Sequence, residues 1–233
     1  MNVNQVVTMS FFMFDKLSSK WWAFTQMGYL PFNIHKINGL QFIKQLGSGA
    51  ENGFSIKPNF GVYGLLATWD NREAADNFFM ENKAFLKYKD RSSQSWTVFM
   101  KTSKVHGQWS GVTPFFENAV YNENDVVAVI TRATIYPKHL LAFWKEVPIV
   151  SQNIKERDGL IFSIGIGEWP IFMQATFSLW ENSKYMMDYA YNSKYHQEVI
   201  KKTRQRGWYK EEMFVRFQPF HSVGQWDSVS LDC

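Results

Sequence analysis

A histidine stands at position 196 where an otherwise similar, earlier stretch of the chain carries a phenylalanine. Trp69-Asp70 opens the earlier stretch and Trp180-Glu181 the later one; sixteen residues on from each tryptophan stand Phe85 and His196. A neutral imidazole on an apolar helix face is a ligand for iron and other transition metals. Helical spacing puts Val199, Ile200 and Thr203 on the face of His196. The ring is therefore expected to be partly desolvated, which favours its neutral, metal-binding form. A core histidine bonded to a backbone carbonyl is the plainer reading. Phe85 at the matching place weighs against it, because that position does not require a polar group.

One imidazole does not make a zinc site. No second histidine or carboxylate follows at i+4, and no CxxC pattern occurs. Haem needs a single protein ligand and an apolar slot, so the residues point to haem b iron with His196 as its axial ligand. The strand Leu160 to Ile166 and its continuation supply a candidate slot. Side chains alternate along a strand, so Ser163, Gly165 and Gly167 share a face, where the earlier stretch has Ile43, Gln45 and Gly47. Glycine in a strand marks close approach by a ligand or by backbone. The expected cofactor-binding set is His196, Ser163, Gly165, Gly167, Val199 and Ile200. Arg132 and Arg216 fall inside expected strands, where a guanidinium must pair or face a polar cavity. Each is a candidate catalytic group for an iron-bound ligand or a propionate, with a salt bridge to Glu211 or Glu212 as the alternative. His35, His106, His139 and His221 are scattered over loops and element ends and are not expected to be ligands. No phosphate-binding glycine loop, GxSxG elbow or Cys/His nucleophile pair is visible.

The two stretches extend to most of the chain. Gly39-Leu40, Phe42 and Gly47 match Gly159-Leu160, Phe162 and Gly167, all 120 residues apart; His106-Gly107-Gln108-Trp109 matches Val223-Gly224-Gln225-Trp226. The gaps fall in the Gly/Pro/Asn-rich run Ser48 to Gly61 and around Arg206 to Tyr209, where loops belong. Each stretch reads as strand, helix, strand, strand, helix, strand. Expected strands are Gln5 to Phe14, Leu40 to Leu46, Gly61 to Trp69, Trp96 to Met100, Val126 to Tyr136, Leu160 to Ile166, Ile171 to Leu179 and Met213 to Phe217. Expected helices cover Lys20 to Met27, Asp70 or Asn71 through Phe85, Pro137 through Val147, and Asn182 to Arg206 with a break near Asn192-Ser193. The order is the split β-α-β arrangement, whose sheet has one bare face that must be buried. The expected fold is α+β: two tandem ferredoxin-like repeats, 1–113 without cofactor and 125–233 with haem, joined by a linker at 114–124 into an α+β barrel.

Composition sets outer bounds. Aromatics are 18% of the 233 residues, which fits a greasy pocket or a ring-rich core. The net charge of +4 is spread along the chain, with one local cluster at Lys201, Lys202, Arg204 and Arg206. No nucleic-acid motif accompanies it, so nucleic acid is not expected as a partner; contact with an anionic membrane surface is compatible with it. The lone Cys233 allows no internal disulfide and suggests a reducing, cytoplasmic setting. No signal peptide or run of ~18 apolar residues is visible, so a soluble protein, or one peripheral to a membrane, is expected.

The chain resembles the spheroidene monooxygenase family, the acyclic carotenoid 2-ketolases, over nearly its whole length. The resemblance is carried by Trp22-Ala23-Phe24, Pro58 to Tyr63, Ser95 to Phe99, Thr131-Arg132-Ala133, Gly165 to Glu168, Thr176-Phe177-Ser178, the His196 helix, and Trp208 to Glu212 leading into Arg216-Phe217. It implies a haem protein that uses O2 and an external electron donor to place a keto group on a hydrophobic, acyclic carotenoid. Two hydroxylations at one carbon and loss of water would give the ketone. The family resembles the dimeric α+β barrel superfamily, whose haem enzymes take an axial histidine from a helix; the resemblance allows a homodimer and puts His196 in that role. Two other readings share the same residues: a haem enzyme that dehydrates or rearranges an N–O substrate without O2, and a non-catalytic module that binds haem or a hydrophobic ligand.

Overall fold

The computed structural model describes residues 3–29, 37–50, 53, 55–155, 157–169, 171–192 and 194–231. Eight strands close into one antiparallel barrel. They are β1 (Val6–Met13), β2 (Leu40–Gly49), β3 (Pro58–Trp69), β4 (Gln94–Gly107), β5 (Val127–Ile135), β6 (Leu160–Trp169), β7 (Met173–Trp180) and β8 (Tyr209–Gly224). Around the barrel the order is β1-β3-β2-β6-β7-β5-β8-β4. The first half is thus a four-stranded sheet in the order β4-β1-β3-β2 and the second repeats it as β8-β5-β7-β6. Ladders β4–β8 and β2–β6 join the two, the first over eleven residue pairs from Trp96↔Gly224 to Gly107↔Met213, the second only at Gly47↔Gly167 and Ser48↔Ile166.

The registers of the two halves correspond. Val6 faces Trp69 as Val127 faces Trp180, and Val7 faces Met100 as Ala128 faces Phe217. Both β2 and β6 carry a bulge two residues after their glycine, at Leu40/Phe42 and Leu160/Phe162. The matched Gly-Gln-Trp motifs make matched turns. Trp109 bridges Val112 and Trp226 bridges Val229, and both indoles are buried in the barrel core. Gly107 and Gly224 have φ of 89° and 80°, and a Cβ on either would strike the carbonyl of Glu212 or Ser95, so only glycine serves.

Inward-facing residues of both sheets fill the barrel: Met9, Phe11, Leu66, Trp96, Val98, Ile130, Phe162, Ile164, Phe177, Val215 and Phe217 are all buried there. Their outer faces carry helices. On the first sheet lie α1 (Leu17–Tyr29), α2 (Arg72–Glu81) and α3 (Lys83–Arg91); on the second, a 3-10 turn (Pro137–His139) with α4 (Leu140–Lys155), then α5 (Ser183–Asn192) and α6 (Lys194–Arg206).

Several boundaries differ from the sequence expectation for identifiable reasons. The helix expected to run from Asn71 through Phe85 divides at Asn82, whose side chain caps α3 by accepting from Ala84 and Phe85 N–H while its own N–H closes α2 on Phe78 O. The break expected near Asn192-Ser193 divides α5 from α6, with Ser193 itself outside the described residues. Strands β4 and β8 are 14 and 16 residues long rather than five, because each pairs across the seam between halves as well as within its own sheet. The β4 extension begins with Lys101, Thr102, Ser103 and Lys104, of which only Thr102 is buried and where the register shifts between Thr102 and Lys104, so short apolar windows miss it.

Candidate functional site

The candidate site is the layer between the second sheet and its helices, and the first half shows what that layer looks like when filled. Matching registers place four residues in a row across each outer face. In the first sheet one row is Gly47, Tyr63, Phe12, Ser95, the next Gln45, Leu65, Ser10, Thr97, and the third Ile43, Ala67, Thr8, Phe99. The corresponding rows of the second sheet are Gly167, Gln174, Ala133, Glu212; then Gly165, Thr176, Thr131, Phe214; then Ser163, Ser178, Val129, Arg216. Tyr63, Phe12, Leu65, Ile43 and Phe99 have become Gln174, Ala133, Thr176, Ser163 and Arg216.

The helices change with the rows. In the first half Phe12 meets Phe85 and Tyr88 of α3 at 5.6 and 5.2 Å between ring centroids, and Phe79 meets Phe85 and Phe99 at 4.7 and 5.3 Å. The crevice left among them, lined by Phe12, Tyr63, Phe78, Phe85 and Tyr88, holds about 30 Å³, room for about two waters. Burial there pushes the Tyr63 hydroxyl up to about 12. In the second half the positions of Phe79, Phe85 and Tyr88 are Ala190, His196 and Val199. One ring pair is retained at the inner end: Trp69–Phe78 at 4.9 Å is answered by Trp180–Tyr189 at 5.4 Å. At the middle of the face the halves diverge. Ser10 is 1% exposed and shares a 2.8 Å hydrogen bond with Thr97, whereas Thr131, its counterpart, is exposed although it lies beneath the helical layer.

Where the expected residues fall is now definite. Ser163, Gly165 and Gly167 lie on the outer face, because Phe162, Ile164 and Ile166 point into the barrel core. Arg216 is on the same face, one residue from the inward Val215 and Phe217, and its guanidinium carbon is 5.5 Å from the Phe214 ring. Ser163 Oγ and Arg216 Nε stand at the two ends of one row, and both are buried without a hydrogen-bond partner; Arg216 has no ion-pair partner among the described residues. His196 stands on α6, which packs on α4 and α5 and is tied to α4 by Lys202–Glu146 at 2.8 Å. The side chains of His196, Val199 and Ile200 lie outside the described residues, as does His35.

Arg132 does not join this group. It has the parity of Ala128 and Ile130, so it points into the barrel and not toward α6. There it is 2% exposed, bonded to Glu211 and to Glu168 at 3.2 Å, beneath the Trp109 ring at 5.4 Å. Lys44 binds the other oxygen of Glu168 at 2.6 Å, and Trp109 Nε1 donates to Glu168 at 2.8 Å. Burial alone would raise the Glu211 pKa. Donation from Gly111 N, Ser110 N and Arg132 outweighs that and holds it below the usual carboxylate value. This network anchors the Trp109 turn at the barrel end, which is the salt-bridge alternative for Arg132.

Gly165 carries a feature absent from the sequence reading. The turn between β2 and β3 crosses to the second sheet, and Gly53 lies against Gly165 so closely that a Cβ on Gly165 would sit 2.4 Å from Gly53 O. Ser48 Oγ donates to Gly165 O at 2.8 Å. Backbone therefore covers this part of the face. The signal was the insertion itself, a Gly-rich loop present in one half only.

Three features of the second layer bear on whether it could hold a flat macrocycle: five large side chains of the first half are matched by small or polar ones, Thr131 is exposed, and Ser163 Oγ and Arg216 Nε lack partners, while Ala133, Val129 and Ser178 are buried and Gly53 covers Gly165. No group of three or more His, Cys, Asp or Glu is placed to hold a bare metal ion among the described residues. No helix among them is long and apolar enough to cross a membrane.

No family model matches the chain. Two curated proteins called spheroidene monooxygenase are each 32% identical to it. That of Rhodobacter capsulatus aligns over 95% of this chain and 92% of its own length, and that of Cereibacter sphaeroides over 96% and 69%. The protein of the same description from Rubrivivax gelatinosus is 29% identical over 81% of this chain and 72% of its own. Among solved structures, an aldoxime dehydratase in complex with butyraldoxime superposes with a TM-score of 0.62 over 94% of this chain and 80% of its own, at 10% identity. That last likeness is one of fold.

Proposed function

The chain belongs to the spheroidene monooxygenase family, and from that premise we propose that it oxidises an acyclic carotenoid in a haem-dependent, O2-using reaction fed by an external electron donor. The observation that supports the haem part is the exchange of Tyr63, Phe12, Leu65, Ile43 and Phe99 in the first half for Gln174, Ala133, Thr176, Ser163 and Arg216 in the second, with Ser163 Oγ and Arg216 Nε left without partners. Bound haem would supply O2 activation.

The chain's own residues then divide the remaining work. His196 on α6 would hold the iron through a neutral imidazole. Thr131 and Thr176 stand side by side in one row and would form a low floor for a flat ring system, bounded at Gly165 by the backbone of Gly53. Arg216, the unpaired cation of that face, is suited to bind a propionate or to steady a polar ligand. Ser163 offers a hydroxyl at the opposite end of the same row. Phe214, partly buried against the second-half cluster, would give a polyene an apolar contact beside these polar groups. We read the two halves, 1–113 and 125–233 with a linker at 114–124, as ferredoxin-like repeats; their corresponding registers and twin tryptophan turns support this.

The test is an absorption spectrum of the purified protein, oxidised, then reduced under CO, with an acyclic carotenoid assay in air and without O2. A Soret band that moves with CO, and keto product in air alone, are expected. An unchanged spectrum in His196→Ala would reject the ligand; turnover without O2 would reject the oxygenase.

A further inference from the structure

The first helix has two apolar faces, and only one is used in the fold. Ala23 is fully buried and Trp22 packs against the first-half core. On the other side Leu17, Trp21 and Phe24 are 83, 68 and 45% exposed. Their spacing of i, i+4 and i+7 puts them on one stripe. Phe60, 49% exposed on β3, extends the stripe across to the sheet: its ring lies 5.4 Å from that of Phe24, which lies 5.9 Å from that of Trp21. A contiguous knob of three rings and a leucine, held in water, carries a standing cost and marks a surface with a partner.

We propose that this knob docks the protein on an anionic lipid surface. Two observations choose lipid over other occupants. The first is the rim. Lys16 and Lys57 are exposed, one residue before Leu17 and three before Phe60, and Lys20 lies along Gly61; Asp15 is an acid next to Lys16. Behind it Arg91 and Lys87 sit over the Trp22 ring at 4.9 and 5.6 Å. Aromatic rings at the depth of lipid headgroups with lysines around them are what an interfacial surface requires. A second copy docking by a two-fold axis would instead bring two copies of the same basic-rimmed patch together. The second observation is continuity with the candidate site. Phe60 stands just beyond one end of the β2–β3 turn, and Gly53 within that turn lies on Gly165 of the second sheet. The surface that would touch lipid is thus joined by a short strap to the layer proposed to take a membrane-soluble substrate. The surface itself depends neither on haem nor on turnover.

The experiment is sedimentation of the purified protein with phosphatidylcholine vesicles, with and without phosphatidylglycerol, so that its failure is separate from failure of the oxygenase reading. Binding is expected with the anionic vesicles and should fall as salt rises. Trp21→Ser with Phe24→Ser should weaken it roughly tenfold or more, the scale of losing two buried side chains. Each of Lys16→Glu, Lys20→Glu and Lys57→Glu should weaken it about fivefold or more. Val120→Ser, exposed on the linker at the opposite end of β1, should change nothing. Equal binding of the Trp21/Phe24 variant and wild type, or no binding to anionic vesicles, would overturn the proposal. So would a concentration-dependent dimer in light scattering that this variant abolishes while vesicles are ignored, which would give the surface to a second copy.

Discussion

The two helix-on-sheet layers of this barrel share a register and differ in filling. The first is closed by rings from β1, β3, β4, α2 and α3, down to a crevice of about 30 Å³. The second keeps the Trp180–Tyr189 pair and has small or polar residues at five of the places where the first has large apolar ones, with Phe214 standing where the first has Thr97. The barrel core, built by both sheets together, is continuous across the halves. It supplies enough buried apolar surface that one outer layer can be emptied without losing the fold.

The largest effect that would sharpen this contrast is on the emptied side. His196→Ala should weaken haem binding beyond about 100-fold, more than loss of an outer partner of a metal ligand costs. Its haem-free stability should change by under about 1 kcal/mol. Phe85→Ala, the same truncation on the filled side, should cost about 3–5 kcal/mol in denaturant unfolding, because Phe85 is 7% exposed and ringed by aromatics. Equal stability losses in the two variants would erase the distinction between the layers.

The two arginines offer a second contrast. Arg132→Met leaves Glu168 and Glu211 without their buried partner and should cost about 3 kcal/mol while sparing a haem spectrum. Arg216→Ala should do the reverse, lowering haem affinity with little loss of stability. A spectrum altered by Arg132→Met and not by Arg216→Ala would reassign the polar group of the site.

Refilling the second layer is a subtler trial. Ala133→Phe puts back the ring that Phe12 supplies in the first half. It should block haem uptake yet shift haem-free stability by no more than about 1 kcal/mol; a loss of 1–3 kcal/mol would mean the space is already packed. The smallest effect concerns acid. Glu211 has a depressed folded pKa, so its contribution is present above the ordinary carboxylate value and is lost as pH falls through the lower folded one. Glu211→Gln should flatten that acid limb in pH-dependent melting, and an unchanged limb would show that other carboxylates set it.

The element order and the asymmetry at 85 and 196 were legible in the chain, because periodicity and the repeated Trp and Gly positions are local properties. So was the face shared by Ser163, Gly165 and Gly167. Arg132 shows the limit. A strand arginine has a parity but no absolute side until a neighbouring strand sets it, and here Ala128 and Ile130 turn it inward. Thr131 and Thr176 show the same limit: nothing places the two threonines side by side until β5 and β7 align them.

What the amino-acid order alone determined is the set of elements, their repetition, and the places where a ring gave way to a smaller or polar group, since backbone propensity and side-chain volume belong to each residue. What only the tertiary structure decided is which substitutions meet in one layer, which arginine faces it, and that a turn from the first half lies over Gly165. These depend on strand register and on contacts between residues over a hundred positions apart, and no local pattern encodes them.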